Sequence, residues 1–325
     1  GDNAKGRTNL IEAVYFAAIG KSFRGAHEAD FIRFDQKSAR IGVAFRDSLR
    51  EQRIDIELSR SKSRSVTQNG VKISRMSEIV GQLRAVLFCP EHLNIIKEGP
   101  AMRRQYLDVA ISQLRPLYMR SLQRYNRILQ QRNKLIKAAA EPEGRRNFDE
   151  TVEFWSSELA HEAAFITVSR VKYLELASAV VGECFDEMTG GREVPEIEYM
   201  PSVRMSADEM RDAARCEEIY AGRLAENHDR EIAVGATLWG THKDDMEIRI
   251  NDRPARQFAS QGQQRSLSLA LKLAEGAISR RDSGEEPVFL LDDVFSELDA
   301  GRRAYLTEKM REKQIILSTC TEHEG

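Results

Sequence analysis

Ala39, Ile41, Val43 and Phe45 alternate with Arg40, Gly42, Ala44 and Arg46, and Ile54, Ile56 and Leu58 alternate with Asp55, Glu57 and Ser59. A period of two puts each apolar set on one face of an extended chain, so both runs predict half-buried antiparallel strands. Between Val66 and Ile73, Asn69-Gly70 is a hairpin signal flanked by short strand-like runs. Ala85-Val86-Leu87-Phe88 is continuously apolar and predicts a buried strand; strand-like runs return at Met246 to Ile250, Val288 to Leu291 and Ile315 to Leu317. The helical period takes over elsewhere. Leu10, Ile11, Val14 and Ala18 share a face. Pro100 to Ala140 carries Tyr106, Leu107, Leu114, Leu117, Leu122, Ile128 and Leu135 as core positions until Glu141-Pro142-Glu143-Gly144 interrupts it. A second helical stretch runs from about Phe148 to Met188 and stops at Thr189-Gly190-Gly191, and a shorter one spans Ala207 to about Trp239. This order predicts an α/β fold with a mixed sheet, in which a helical insertion, residues 101–235, divides a domain made of residues 1–100 and 236–325.

Composition narrows the class. With 325 residues, 41% hydrophobic and 31% charged, the chain can bury a core and is not a disordered tail. No apolar run approaches the roughly 20 residues of a membrane span, so no membrane association is expected and a cytoplasmic protein is the default. Cys89, Cys184, Cys216 and Cys320 lie too far apart for a zinc motif or a disulfide framework. The net charge of −2 conceals an asymmetry, because nine Lys and Arg face one acid, Asp108, between Ala101 and Lys137. Glu183 to Glu231 has the opposite bias, fourteen acids against six Arg.

Three segments carry chemistry. Gly1-Asp2-Asn3-Ala4-Lys5-Gly6-Arg7-Thr8 reads as a phosphate loop: glycines let backbone N–H groups converge on phosphates at a helix N-terminus, and a Ser or Thr hydroxyl ligates Mg²⁺. The strand such a loop needs upstream is not in the sequence, and the chain stops soon after Gln314-Ile315-Ile316-Leu317, which predicts a fragment lacking both termini. The apolar run Val288 to Leu291 delivers Asp292 and Asp293 at its end, suited respectively to holding Mg²⁺ and to polarising an attacking water. Ser260-Gln261-Gly262-Gln263, before the helical stretch Leu267 to Ile278, has the form of an ABC-type signature, a turn that would clasp the γ-phosphate of ATP bound by an opposite subunit.

These motifs, with Gly20-Lys21-Ser22-Phe23-Arg24, Phe88-Cys89-Pro90-Glu91, Arg103-Arg104-Gln105-Tyr106-Leu107-Asp108, Gly240-Thr241-His242-Lys243-Asp244-Asp245 and Leu291-Asp292-Asp293-Val294-Phe295-Ser296-Glu297-Leu298-Asp299, resemble in content and order the RecF family of bacterial recombination mediators. The resemblance covers essentially the whole chain. It implies an ABC-type P-loop ATPase head with a helical insertion (arm) domain, ATP and Mg²⁺ as cofactors, ATP-dependent homodimerisation, DNA binding, and work with RecR and RecO in loading recombinase at gaps in DNA replication and repair. Arg7 stands where that family has Lys, and a planar guanidinium does not replace a point charge, so Mg-ATP binding is expected to survive with turnover impaired, a weak ATPase at best.

Arg103, Arg104, Arg120, Arg124 and Arg127 are the expected DNA contacts, with Tyr106, Tyr118 and Tyr125 between them. The alternative is that this basic stretch pairs with the acidic helices that follow it. His242, Asp244 and Asp245 suggest a metal site less well than a structural role on the inner surface of the head. Rival readings are a degenerate P-loop scaffold that binds ATP without hydrolysis, and the nucleotide-binding subunit of another ABC-type assembly.

Overall fold

A computed structural model describes residues 7–25 and 27–318, with Arg7 described by its backbone alone. Helix α1 (Arg7–Ile19) is followed by strands β1 (Ser38–Arg46), β2 (Glu51–Ser59), β3 (Ser65–Gln68), β4 (Val71–Ile73) and β5 (Ala85–Phe88). Helices α2 (Pro100–Leu114), α3 (Pro116–Ala138) and α4 (Pro142–Thr189) come next, then β6 (Pro195–Met200), α5 (Ala213–Ala225), α6 (His228–Val234), β7 (Asp245–Ile250), β8 (Arg253–Pro254) and α7 (Ala255–Phe258). The last elements are α8 (Gln261–Ser283), β9 (Val288–Asp292), α9 (Ala300–Met310) and β10 (Ile315–Ser318).

Two compact units divide the chain. The first comprises residues 1–96, 180–194 and 259–325. Its antiparallel sheet has the order β1-β2-β3-β4, with Ile41 opposite Ile56 and Val43 opposite Ile54. The alternation seen in the sequence buries Ile54, Ile56 and Leu58. Asn69 and Gly70 take φ of 52° and 80°, the paired positive values of a tight hairpin whose twist suits the strands. A parallel sheet of order β10-β9-β5 holds the continuous apolar runs; all four residues of β5 are buried, as expected for a strand covered on both faces. Helix α8 lies against β9 so closely that a Cβ on Gly276 would come within 2.7 Å of Phe289 Cζ.

The second unit comprises residues 97–179 and 195–258. It contains α2, α3, most of α4, α5, α6 and the antiparallel sheet β6-β7-β8. Here the structure departs from the sequence-based boundaries. Residues 236–258, expected in the second part of the head, fold with the helices because β7 pairs along β6, with Met246 opposite Tyr199 and Ile248 opposite Ile197. Conversely, residues 180–194 belong to the first unit. The helical stretch 100–140 is two helices, since Arg115 is extended (φ −134°, ψ 98°) ahead of Pro116, whose ring disfavours a helical predecessor. Pro142 does not end a helix but begins one, α4, which starts six residues before the expected Phe148. The stretch 207–239 resolves into α5 and α6, and Gly235 at φ 77° terminates α6 before Trp239. Strand β6 was not anticipated at all. No helix among the described residues is long and apolar enough to cross a membrane.

Candidate functional site

Asp292 ends β9, the central strand of the parallel sheet, and so sits at the carboxyl edge where α/β folds place ligands. Thr8, in the first turn of α1, donates its hydroxyl to Asp292 Oδ1 at 3.1 Å. The Asp292 side chain is almost wholly buried, and desolvation pushes its carboxyl above the usual range, opposed by hydrogen bonds from Thr8 and Ser318 and by the charge of Arg24. A carboxylate buried mainly among neutral donors is a fitting ligand for a divalent cation, and Thr8 Oγ1 is beside it. Asp293 adopts φ 49°, a left-handed conformation that Asp tolerates better than most residues, and its N–H donates to Ser318 O at 2.9 Å. This turn takes the chain sharply off the strand, and the Ser296 hydroxyl secures it by donating to Asp293 O at 2.7 Å. Behind α1, Ser22 donates to Glu12, and Arg24 approaches the same carboxylate at 3.9 Å. The loop residues Gly1, Asp2, Asn3, Ala4, Lys5 and Gly6, and the Arg7 side chain, lie outside the described residues.

The signature turn opens α8. Ser260 is the N-cap: its hydroxyl accepts from Gln263 N at 3.2 Å, while Gln263 Oε1 accepts from Ser260 N at 2.7 Å, a reciprocal capping box. Ser260 and Gln261 are exposed. Gly262 O accepts from Arg302 Nη2 at 2.6 Å, and Gln263 Nε2 donates to Glu193 at 2.5 Å. Sequence reasoning missed Arg302, Glu193 and Ser318. Arg302 lies three residues after the helix-capping Asp299, and nothing in that local spacing indicates what its guanidinium reaches.

The basic stretch requires correction. Arg103, expected to contact DNA, is buried and grips Asp245 with both arms of its guanidinium at 2.7 and 2.8 Å. Arg104 is part-buried and donates to Asp244 O at 2.7 Å. Arg124 is exposed but lies between Glu158 and Glu162 of α4, the pairing that the acidic helices made possible. Arg132 is wholly buried, bonded to Ser156, Thr237 and Glu231. Arg120 and Arg127 are exposed on α3, and with Lys134 they repeat every seven residues along one stripe. Tyr106, Tyr118 and Tyr125 are buried and hydrogen-bonded inside the unit, so they offer no face for bases to stack on.

The Gly240 to Asp245 segment is the hub of the second unit and not part of the head's inner surface. Asp244, fully buried, accepts from Tyr199 at 2.5 Å, Tyr220 at 3.1 Å and Ser202 N at 2.6 Å. Gly240 is at φ 132°, and a Cβ there would fall 2.3 Å from the Tyr125 hydroxyl. His242 Nδ1 lies 2.6 Å from that hydroxyl and Nε2 3.2 Å from Thr237 O, so the imidazole donates from Nε2 and accepts at Nδ1. Burial lowers its pKa to about 4. No cluster of metal-ligating side chains occurs among the described residues.

A family profile described as "RecF/RecN/SMC N terminal domain" matches residues 1–324. The Smc head bound to the C-winged helix domain of ScpA aligns with a TM-score of 0.50 at 15% identity, covering 97% of this chain and 78% of that one, a likeness of fold alone. Fold and site thus define an ABC-type ATPase head of the SMC class. Closer relatives narrow the assignment. The DNA replication and repair protein RecF of Acetivibrio thermocellus is 36% identical over 324 residues, covering 100% of this chain and 86% of that protein. RecF of Geobacillus sp. (strain WCH70) is 38% identical over 328 residues, with the same coverage. The structure of the recombination mediator protein RecF-ATP in the RecFOR pathway superposes with a TM-score of 0.90 at 32% identity, covering 100% of this chain and 86% of that chain. The chain belongs to the RecF family.

Proposed function

We propose that this protein is an ATP-dependent recombination mediator whose two copies are joined by nucleotide. Each ATP is held by the Gly1–Thr8 loop and the Asp292 edge of one copy and clasped by Ser260, Gln261 and Gly262 of the other. The observation that carries the reading is the exposed Ser260-Gln261 edge at the start of the 23-residue helix α8: the turn is not sealed within its own subunit and leaves N–H groups available to an anion. Thr8 and Asp292 would hold Mg²⁺, which when bound offsets the charge of the phosphate oxygens. Asp293, next in the chain, would polarise the attacking water. DNA contact falls to the exposed Arg120 and Arg127 stripe, with Arg124 partly committed to its acids. The similar solved structure, a recombination mediator of the RecFOR pathway, supports a role in recombination, and recombinase loading together with RecO and RecR is what the family resemblance implies.

Sedimentation of the full-length protein tests this directly. A monomer that becomes a dimer with ATP, and binds duplex DNA in that state, is the expected result; a monomer under all conditions overturns it. Arg7 favours a second reading in which nucleotide is bound but scarcely hydrolysed. Arg7→Lys should then raise ATP turnover, and unchanged turnover counts against that reading.

A further inference from the structure

We infer that Arg302 and Glu193 are positioning residues that brace the signature turn from two sides, an inference that deepens the dimer reading above and rests on it for its functional consequence. Both ends of the Gln263 amide are engaged within the chain, one with Ser260 N and the other with Glu193. Gln263, expected in the group that meets the neighbouring nucleotide, is therefore an anchor, and Ser260, Gln261 and Gly262 form the contacting edge.

Arg302 supplies the second brace. Its Nη2 donates to Gly262 O at 2.6 Å, its Nε to the buried Ser266 hydroxyl at 2.9 Å, and its Nη1 to Asp299. Asp299 in turn caps α9 by accepting from Arg302 N at 2.9 Å. Three partners on three nitrogens of one planar group fix its position in a way that a single ammonium cannot. A Cβ on Gly262 would lie 2.9 Å from Arg302 Nη2, so the absence of a side chain at 262 is what lets the guanidinium reach the backbone. Since Asp299 follows the Asp292-Asp293 turn after a short 3-10 segment, this guanidinium sets the spacing between two half-sites on one subunit. One is the edge that serves its own nucleotide, the other the turn that serves its neighbour's.

The test uses the full-length protein with Arg302→Met, Arg302→Lys, Glu193→Ala and Glu193→Gln. Hydrogen exchange of the amides at 261–266, measured without nucleotide, should accelerate in Arg302→Met and Glu193→Ala while the amides of α1 stay unchanged. With ATP, the dimer dissociation constant should rise about tenfold or more in Arg302→Met and less in Arg302→Lys, while binding of a fluorescent ATP analogue to dilute monomer stays within about twofold. Glu193→Gln, which keeps an acceptor for Gln263, should behave like the parent protein. Unchanged exchange at 261–266 overturns the brace whether or not the parent dimerises. An equal loss of monomer nucleotide binding and melting temperature reduces Arg302 to general stability and overturns it too. A parent that stays monomeric in ATP, with exchange altered as expected, refutes the dimer reading and leaves the brace standing.

Discussion

The Asp292 carboxyl is buried mainly against neutral donors, and its folded-state pKa is raised. A raised carboxyl favours folding when protonated, so stability is lost as pH rises from the ordinary carboxylate value through the folded one; at neutral pH the ion is held at a cost. Asp292→Asn, which keeps an acceptor for Thr8, should therefore raise the melting temperature of nucleotide-free protein by about 1–3 °C. The same variant should lose the stabilisation that the parent gains from ATP with Mg²⁺, which differential scanning fluorimetry reads in one experiment. His242 has the opposite sign. Its folded pKa of about 4 lies below the usual value near 6.5, so stability is present above pH 6.5 and declines as pH falls toward 4. His242→Gln should flatten the stability profile of the second unit between those limits in urea titrations; an unaltered slope would refute the assignment. Neither behaviour was legible beforehand, because Asp292 and His242 owe their environments to Thr8, Thr237 and Tyr125, and only the first of these lay within a recognised motif.

Elements were legible where their period was clean. The alternation in β1 and β2 and the apolar runs of β5 and β9 announce their strands, and Asn69-Gly70 announces its hairpin. Strand β6 was missed although Ile197 and Tyr199 alternate with Glu196 and Glu198, because it lies between the helical stretches that end at Met188 and begin at Ala207, where only an acidic bias was noted. The burial of Arg132 in α3 was hidden for another reason: whether an arginine faces solvent depends on acids far along the chain, here Glu231 of α6. The contact of α8 with β9 yields a prediction decided by magnitude. Gly276→Ala gains about 1 kcal/mol of helix propensity, whereas forcing a methyl against Phe289 costs about 1–3 kcal/mol, so net destabilisation is expected in chemical denaturation. Trimming the ring in the double variant Gly276→Ala with Phe289→Leu should recover the part of that loss due to the methyl clash, judged against Phe289→Leu alone.

For the whole molecule, the net charge of −2 would argue against a polyanion partner, yet Arg120 and Arg127 form an exposed basic stripe in the second unit. Replacing both by Ala should weaken duplex DNA binding and reduce the slope of log K against log salt by about 2, as read from anisotropy titrations. Arg103→Ala should instead destabilise the second unit itself, because it strands the Asp245 carboxylate. The motifs revealed the family and singled out Thr8 and Asp292, which the fold brings within hydrogen-bond distance. They did not reveal which arginines remain outside, since the sequence shows charge but not its neutralisation.

The pairing of β5 with β9 has a temporal consequence. Some 200 residues separate Ala85 from its partner Val288, so at ribosomal speeds of roughly 5–20 residues per second the apolar Ala85 to Phe88 segment waits on the order of 10–40 s for its neighbour. During that interval it is an unpaired sticky edge in a crowded cell. Aggregation of the nascent chain is therefore expected to be most acute over that interval, and to fall once β9 emerges and covers the edge.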